Sequence, residues 1–82
     1  MSENKNDAVT IIKHIAVLRE GKNGWTQELN IVSWYGKEAK YDIRWWSKDK
    51  LDSGKGITLR HDEMLVLKNA IIDLPEHFQT MA

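Results

Sequence analysis

Apolar residues along the chain change their spacing once, near residue 60. Before that point they come in short β-branched or aromatic runs separated by polar stretches containing glycine. Residues 10–19 (TIIKHIAVLR) predict a first strand, and residues 20–24 (EGKNG) carry the glycine and asparagine of a hairpin turn. Residues 25–35 (WTQELNIVSWY) predict a second strand. Alternation places Leu29 and Ile31 on one face and Thr26, Glu28, Asn30, Val32 and Trp34 on the other. A turn at residues 36–39 (GKEA) leads to a third strand at residues 40–47 (KYDIRWWS), with Tyr41, Ile43 and Trp45 on one side and Asp42, Arg44 and Trp46 on the other. Residues 48–54 (KDKLDSG) read as a polar loop, and residues 55–59 (KGITL) as a short fourth strand with Ile57 and Leu59 pointing together.

Beyond residue 60, Met64, Leu67, Ala70, Ile71 and Leu74 recur at spacings of three and four, with Leu65 and Ile72 widening the stripe. Asp62 and Glu63 fall in the first turn, where the helix dipole favours negative charge, and Pro75 marks the end. The expected fold class is α+β: an antiparallel sheet with one C-terminal helix across a face, in the order β-β-β-β-α. The stripe is wider than one side of a four-stranded sheet requires, so the helix is expected to pack on its twin in a homodimer. Residues 1–9 are expected to be a disordered start, residues 10–74 the folded domain and residues 75–82 a tail.

An 82-residue chain lies near the lower limit for a self-sufficient core, which again favours dimerisation. With no cysteine, neither a disulfide nor a zinc thiolate site can supply the missing stability, and His14, His61 and His77 are too scattered for a metal motif. No apolar run approaches the roughly 18 residues of a membrane span. These features predict a soluble cytoplasmic protein, with association to the nucleoid as a variant of that location, and no cofactor or membrane partner.

The formal net charge is zero, which by itself argues against nucleic acid. Its distribution argues the other way. Residues 34–60 hold seven basic residues against four acidic ones, whereas residues 61–82 hold one against four.

Catalysis finds little support. There is no nucleophile motif, and GKG at residues 54–56 lacks the spacing and the Lys-Ser/Thr pair of a nucleotide loop. His14 is expected to be packed or half-exposed, while His61 and His77 are expected to be solvated. Asp62 with Glu63, and Asp49 with Asp52, have sufficient explanations as helix-start and turn residues. No enzyme activity and no small-molecule substrate is expected.

The aromatic residues are more informative. Trp25, Trp34, Trp45, Trp46, Tyr35 and Tyr41 exceed what a small core needs, and Trp34 and Trp46 share parity with polar neighbours. Rings interleaved with lysine and arginine on strands describe a surface that stacks on unpaired bases and holds phosphates. A duplex hides those base faces, so a single strand is the expected partner.

DIR at residues 42–44, aromatics directly after it, a polar loop and GKGITL at residues 54–59 leading into an acidic helix start together resemble the transcriptional positive cofactor four family of single-stranded DNA-binding proteins. WTQELNIVSWYGKEAKYDIRWWS followed by GKGITL is similar to its bacterial YdbC-like branch. The resemblance spans about residues 11–73. It implies a homodimer of strongly curved four-stranded sheets with helices at the interface, and sequence-nonspecific, coactivator-like binding of single-stranded DNA. It further implies phosphate contacts at Arg44 and Lys55, stacking at Trp46 and at Trp34 or Tyr35, and basic support from Lys37 and Lys40.

Three departures bear on that transfer. Arg60 stands where a capping Ser or Thr is common, Trp45 replaces a polar residue, and the regulatory extension of eukaryotic relatives has no counterpart in the sequence. Trp45 is expected either to pack under the long hairpin or to enlarge the stacking surface. Asp42 is expected to orient Arg44 or a neighbouring lysine, and Lys48 and Lys50 to belong to a mobile loop. The parity of Lys13 with Ile11 and Ile15 argues against a place in the groove. Two alternatives stay open at the level of sequence: a protein-interaction module using the same aromatic face, and single-stranded RNA as the ligand.

Overall fold

The computed structural model describes residues 8–76. The expected disordered start and the tail therefore lie outside the described residues, apart from Ala8, Val9, Pro75 and Glu76, and so does His77. The elements are β1 (Val9–Glu20), a 3-10 turn (Lys22–Gly24), β2 (Thr26–Trp34), β3 (Lys40–Trp46), β4 (Ser53–Leu59) and α1 (His61–Ile72). The strands form one antiparallel sheet in chain order. Val9 opens β1 and is buried, so it belongs to the fold and not to a disordered start.

The β1–β2 connection turns where Asn23 and Gly24 take left-handed backbone conformations, at φ of 57° and 79°. Those residue types adopt that region at low cost. β2 and β3 alternate as the sequence predicts, and their register sets Glu28 opposite Arg44 and Asn30 opposite Asp42.

β1 does not alternate. Its register against β2 slips between Ile11 and Lys13, between His14 and Ala16, and between Val17 and Arg19. Each slip inserts one extra residue, so the strand repeats every three positions. Ile11, His14 and Val17 lie opposite Val32, Asn30 and Glu28. Lys13, Ala16 and Arg19 lie opposite Ile31, Leu29 and Gln27, on the other face. Lys13 thus points away from the inner face, as expected, but because of the bulges and not because it shares a face with Ile11.

Repeated bulges increase strand twist and bend the sheet. Trp46 pairs with Thr26 at one end of β2, and Val9 pairs with Trp34 at the other. A flat sheet would separate those ends by roughly 26 Å. Instead Val9, Val32 and Trp46 form one buried cluster, with Ile11 and Trp34 packed against it. The sheet is curled, and its inner face is the core.

The outer face is more open. Leu29, Ile31, Ile43 and Leu59 are half-buried, and Ile57 is exposed. The main contact of α1 with the sheet is to β3. Its N-terminus is fixed by His61 stacked on Tyr41, with ring centroids 6.0 Å apart, and by the Glu63 carboxylate accepting from the Arg60 backbone N–H at 2.8 Å. That reciprocal bond compensates for the missing Ser or Thr cap. Met64 and Leu67 are half-buried and no helix residue is fully buried.

Glycine permits the closest strand contact. A Cβ on Gly56 would lie 2.1 Å from Arg44 Cβ and 2.2 Å from the Ile43 carbonyl oxygen. Gly56→Ala should therefore destabilise the domain by about 3 kcal/mol or more, read as a lower urea midpoint. Gly36→Ala, which meets nothing within 4 Å, lacks that clash. It should cost only the strain of its left-handed backbone, about 1 kcal/mol.

Candidate nucleic-acid interface

The inner face carries charge where a core is ordinarily apolar. Glu28, Asn30 and Asp42 are all buried there. The Glu28 carboxylate accepts from Thr26 Oγ1 at 2.5 Å, Lys50 Nζ at 2.6 Å and Asn30 Nδ2 at 3.2 Å. His14 Nδ1 lies 2.7 Å from Asn30 Oδ1 and 3.3 Å from Glu28 Oε1. A buried carboxylate is tolerated only when its lone pairs are filled, and these partners fill them. Burial alone would raise the Glu28 carboxyl, but the hydrogen bonds from Lys50, Thr26 and Asn30 and the nearby ammonium hold it below its ordinary value.

The sequence marked these residues only as a polar parity set with Val32 and Trp34. What it did not disclose is that curling would bury them. Lys50 is also a correction. The expected mobile loop is ordered by Ser47 Oγ donating to Asp49 Oδ1 at 2.8 Å and by the Leu51 and Asp52 backbone N–H groups at 2.9 and 3.0 Å. Lys50 itself adopts φ of 65° and delivers its ammonium to β2.

A second network surrounds DIR. Arg44 Nε donates to Asp42 Oδ1 at 2.7 Å, Arg44 Nη1 to the Gly54 carbonyl at 3.3 Å, and Thr58 Oγ1 to Asp42 Oδ2 at 2.9 Å. The guanidinium carbon sits 4.9 Å from the centroid of the Trp34 ring, a cation–π contact. Asp42 orients Arg44, as the sequence suggested. Arg44, at 13% side-chain exposure, is committed internally and is not a freely presented phosphate contact.

Trp46 is likewise displaced from its expected role. It is 1% exposed and belongs to the buried cluster, so its ring is not offered to a base. Its parity with Arg44 held, but curling turned that face inward. Trp45 packs at the hairpin tip, where a Cβ on Gly21 would stand 2.7 Å from its ring and one on Gly54 would stand 3.3 Å from its Cβ. Of the two readings for Trp45, packing under the hairpin is the observed one.

The residues that do reach the surface gather at the β2–β3 turn. Tyr35 and Gly36 both have positive φ, 53° and 71°, and the Lys37 backbone N–H donates to the Trp34 carbonyl at 2.9 Å. This is the pattern of a type I′ turn, whose first central position favours Asn, Asp or Gly. A bulky ring is disfavoured there, yet Tyr35 is 74% exposed. Lys37 and Lys40 flank it and are exposed, and Trp34 is half-buried beside Arg44. Lys55 is exposed on the edge strand β4, between Gly54 and Gly56. The structure thus brings Trp34, Tyr35, Lys37 and Lys40 to one rim and leaves Lys55 apart from them on the edge strand β4.

The family described as Transcriptional Coactivator p15 (PC4) matches this chain over residues 22–70. That span runs from the β1–β2 turn through both DIR and GKGITL into α1, and it covers more than half of the sequence. The chain belongs to this family. An uncharacterized protein of Treponema pallidum (strain Nichols) is similar to it at 41% identity over 61 residues, covering 74% of this chain and 72% of that protein.

Membership in the coactivator family associates the chain with DNA binding and transcription. It also gives the two motifs a structural meaning here. DIR supplies the Asp42–Arg44 pair that braces Trp34, and GKG supplies the glycines that let β4 lie against Arg44 and Trp45. Among the described residues there is no cluster of three or more His, Cys, Asp or Glu able to hold a metal, and no helix long and apolar enough to cross a membrane.

Because the Glu28 carboxyl is lowered in the folded state, its stabilisation is fully present above the ordinary value of 4.5 and is lost as pH falls through the folded value. Melting temperature should therefore decline as pH drops from about 4.5 toward the lower folded value. Glu28→Gln should cost about 1–3 kcal/mol at neutral pH and flatten the acid limb, so that the two Tm–pH curves converge in acid.

Proposed function

We propose that the protein is a homodimeric, sequence-nonspecific binder of single-stranded DNA, coactivator-like in its use of DNA and without catalytic activity, acting in the cytoplasm. The observation that carries this reading is Tyr35, a largely exposed ring at a backbone conformation that disfavours a bulky side chain. Strain of this kind concentrates where a side chain has work to do. Tyr35 stacks on an unpaired base, Trp34 backs the next position with Arg44 fixing its ring, and Lys37, Lys40 and Lys55 neutralise phosphates. Arg44 contributes positive potential from within the rim, and Trp46 supports the site from the core. Base stacking contributes about 1–3 kcal/mol per base without regard to sequence.

The dimer rests on a separate observation. Leu65, Val66, Ile71, Ile72 and Leu74 are exposed on and just beyond α1, Val66 at 71%. An apolar surface of this extent on a small domain marks an association site, and a second copy of the same helix presents the matching surface. Val66→Glu with Ile72→Glu should shift sedimentation equilibrium from dimer to monomer while the β-sheet circular dichroism persists.

Tyr35→Asn separates the two consequences of strain. It creates the Asn-Gly pair that the turn prefers, so stability should rise by about 0.5–1 kcal/mol. Affinity for a twelve-residue oligo-dT should fall by roughly fivefold or more. Replacing Lys37, Lys40 and Lys55 by Gln should reduce the slope of log K against log salt by about 0.7 for each lost contact. Equal affinity for matched duplex would overturn the single-strand preference, and salt-independent binding would overturn the reading in favour of a protein-interaction surface.

A further inference from the structure

β1 carries three rows of side chains where an ordinary strand has two. The three-residue repeat sends Ile11, His14 and Val17 to the inner face and Lys13, Ala16 and Arg19 to the outer face. Ile12, Ile15 and Leu18 fall at the register slips, so no residue of β2 stands opposite them, and they project from the free edge of the sheet. They are 57%, 41% and 52% exposed. Because three residues of β1 span two of β2, the row advances roughly 7 Å per step and about 14 Å in all. Three large aliphatic side chains at even spacing along one edge mark an association surface.

The row lies apart from the surfaces described above. The match to the coactivator family begins at residue 22, beyond β1. α1 meets the sheet chiefly through β3, two strands away, and the Tyr35 rim adjoins the other end of β1, where Val9 pairs with Trp34. Even spacing makes the row its own complement. Two copies brought edge to edge with β1 antiparallel, about a two-fold axis normal to the sheet, set Ile15 against Ile15 and Ile12 against Leu18. The same axis keeps both inner faces on one side. Lys13 and Arg19 stay exposed along the outer side of the seam, where their like charges on the two copies oppose contact in the free protein. Three side chains per copy also fall far short of the roughly 800 Å² per partner that a stable complex buries. A contact of this strength takes effect when a common ligand holds two copies side by side, at effective concentrations on the order of millimolar.

We infer that the row of Ile12, Ile15 and Leu18 joins neighbouring dimers bound to one single strand, so that the protein coats long strands cooperatively. The inference rests on the single-strand reading above and adds to it a second interface between copies, distinct from the one at α1. A chain with two separate self-complementary faces, α1 and the β1 edge, links dimer to dimer. The nucleic acid decides when the second link forms, because only there are the copies held close enough. A strand short enough to hold one dimer binds without it.

The test uses the full-length protein with oligo-dT of twelve residues and of about 48, the longer holding several copies at the roughly 4–16 nucleotides per site of single-strand binders. Binding is followed by fluorescence anisotropy for wild type and for Ile15→Gln with Leu18→Gln, both exposed positions whose substitution leaves the fold intact. The expected result is a sigmoidal isotherm on the long strand that becomes hyperbolic and roughly tenfold weaker in the variant, with affinity for the short strand unchanged. The register is read by cross-linking, in a chain that has no cysteine of its own. On the long strand a short bis-maleimide should join Ile15→Cys to itself and Ile12→Cys to Leu18→Cys, but not Ile12→Cys to itself, whose two positions are offset by about 14 Å. Adding Val66→Glu and Ile72→Glu to Ile15→Cys should leave that link in place, since α1 does not make it. Short-strand binding without cooperativity on the long strand, or with cooperativity that survives Ile15→Gln and Leu18→Gln, overturns the edge contact and leaves the single-strand reading intact. No binding of the short strand by wild type overturns both.

Discussion

The curl of the sheet depends on a buried carboxylate being fully occupied. Glu28 sits where β1, β2 and the β3–β4 loop meet, and it receives donors from Thr26, Asn30 and Lys50 while His14 closes the outer side of Asn30. Leaving a buried charge unpaired would cost several kcal/mol, a large fraction of the stability of a domain this size. Lys50 must therefore reach β2, which fixes the loop, and β1 must supply His14, which fixes the bulged register. On the next strand Asp42 performs the same service for Arg44 and Thr58. Two carboxylates thus specify the inner face, and the hydrophobic cluster of Val9, Val32 and Trp46 fills the space they leave.

Most of the architecture was legible in the chain because β2, β3 and α1 obey simple periods. Their spans differ from expectation by one or two residues, as at Trp25 and Ser47, which lie just outside strands. β1 was legible as a strand but not as a bulged one, although its sequence from Ile11 to Arg19 repeats in threes once that period is sought. β4 begins two residues earlier than expected, at Ser53, because the loop before it is tightened by Ser47 and Asp49.

The candidate interface was legible in its residue types and less so in its geometry. Lys37, Lys40, Lys55 and Tyr35 are exposed, which local chemistry indicates for lysines and a turn residue. Trp46 and Arg44 could not be placed by parity, since parity assigns a face and curvature decides whether that face is inside. The same gap hid Glu28 and Lys50. Glu28 and Lys50 meet because β2 pairs with β3 and the loop after β3 folds back over Thr26.

The three-residue repeat of β1 has one more effect. An edge strand with regular alternation offers an unbroken row of backbone donors and acceptors to any extended chain. In β1 the row is interrupted at Ile12, Ile15 and Leu18, and these side chains stand outward at the interruptions. The edge has thereby exchanged a promiscuous hydrogen-bonding template for an apolar ridge of fixed spacing. Whatever meets it must match side chains in shape, which turns the most aggregation-prone boundary of a small open sheet into a selective one.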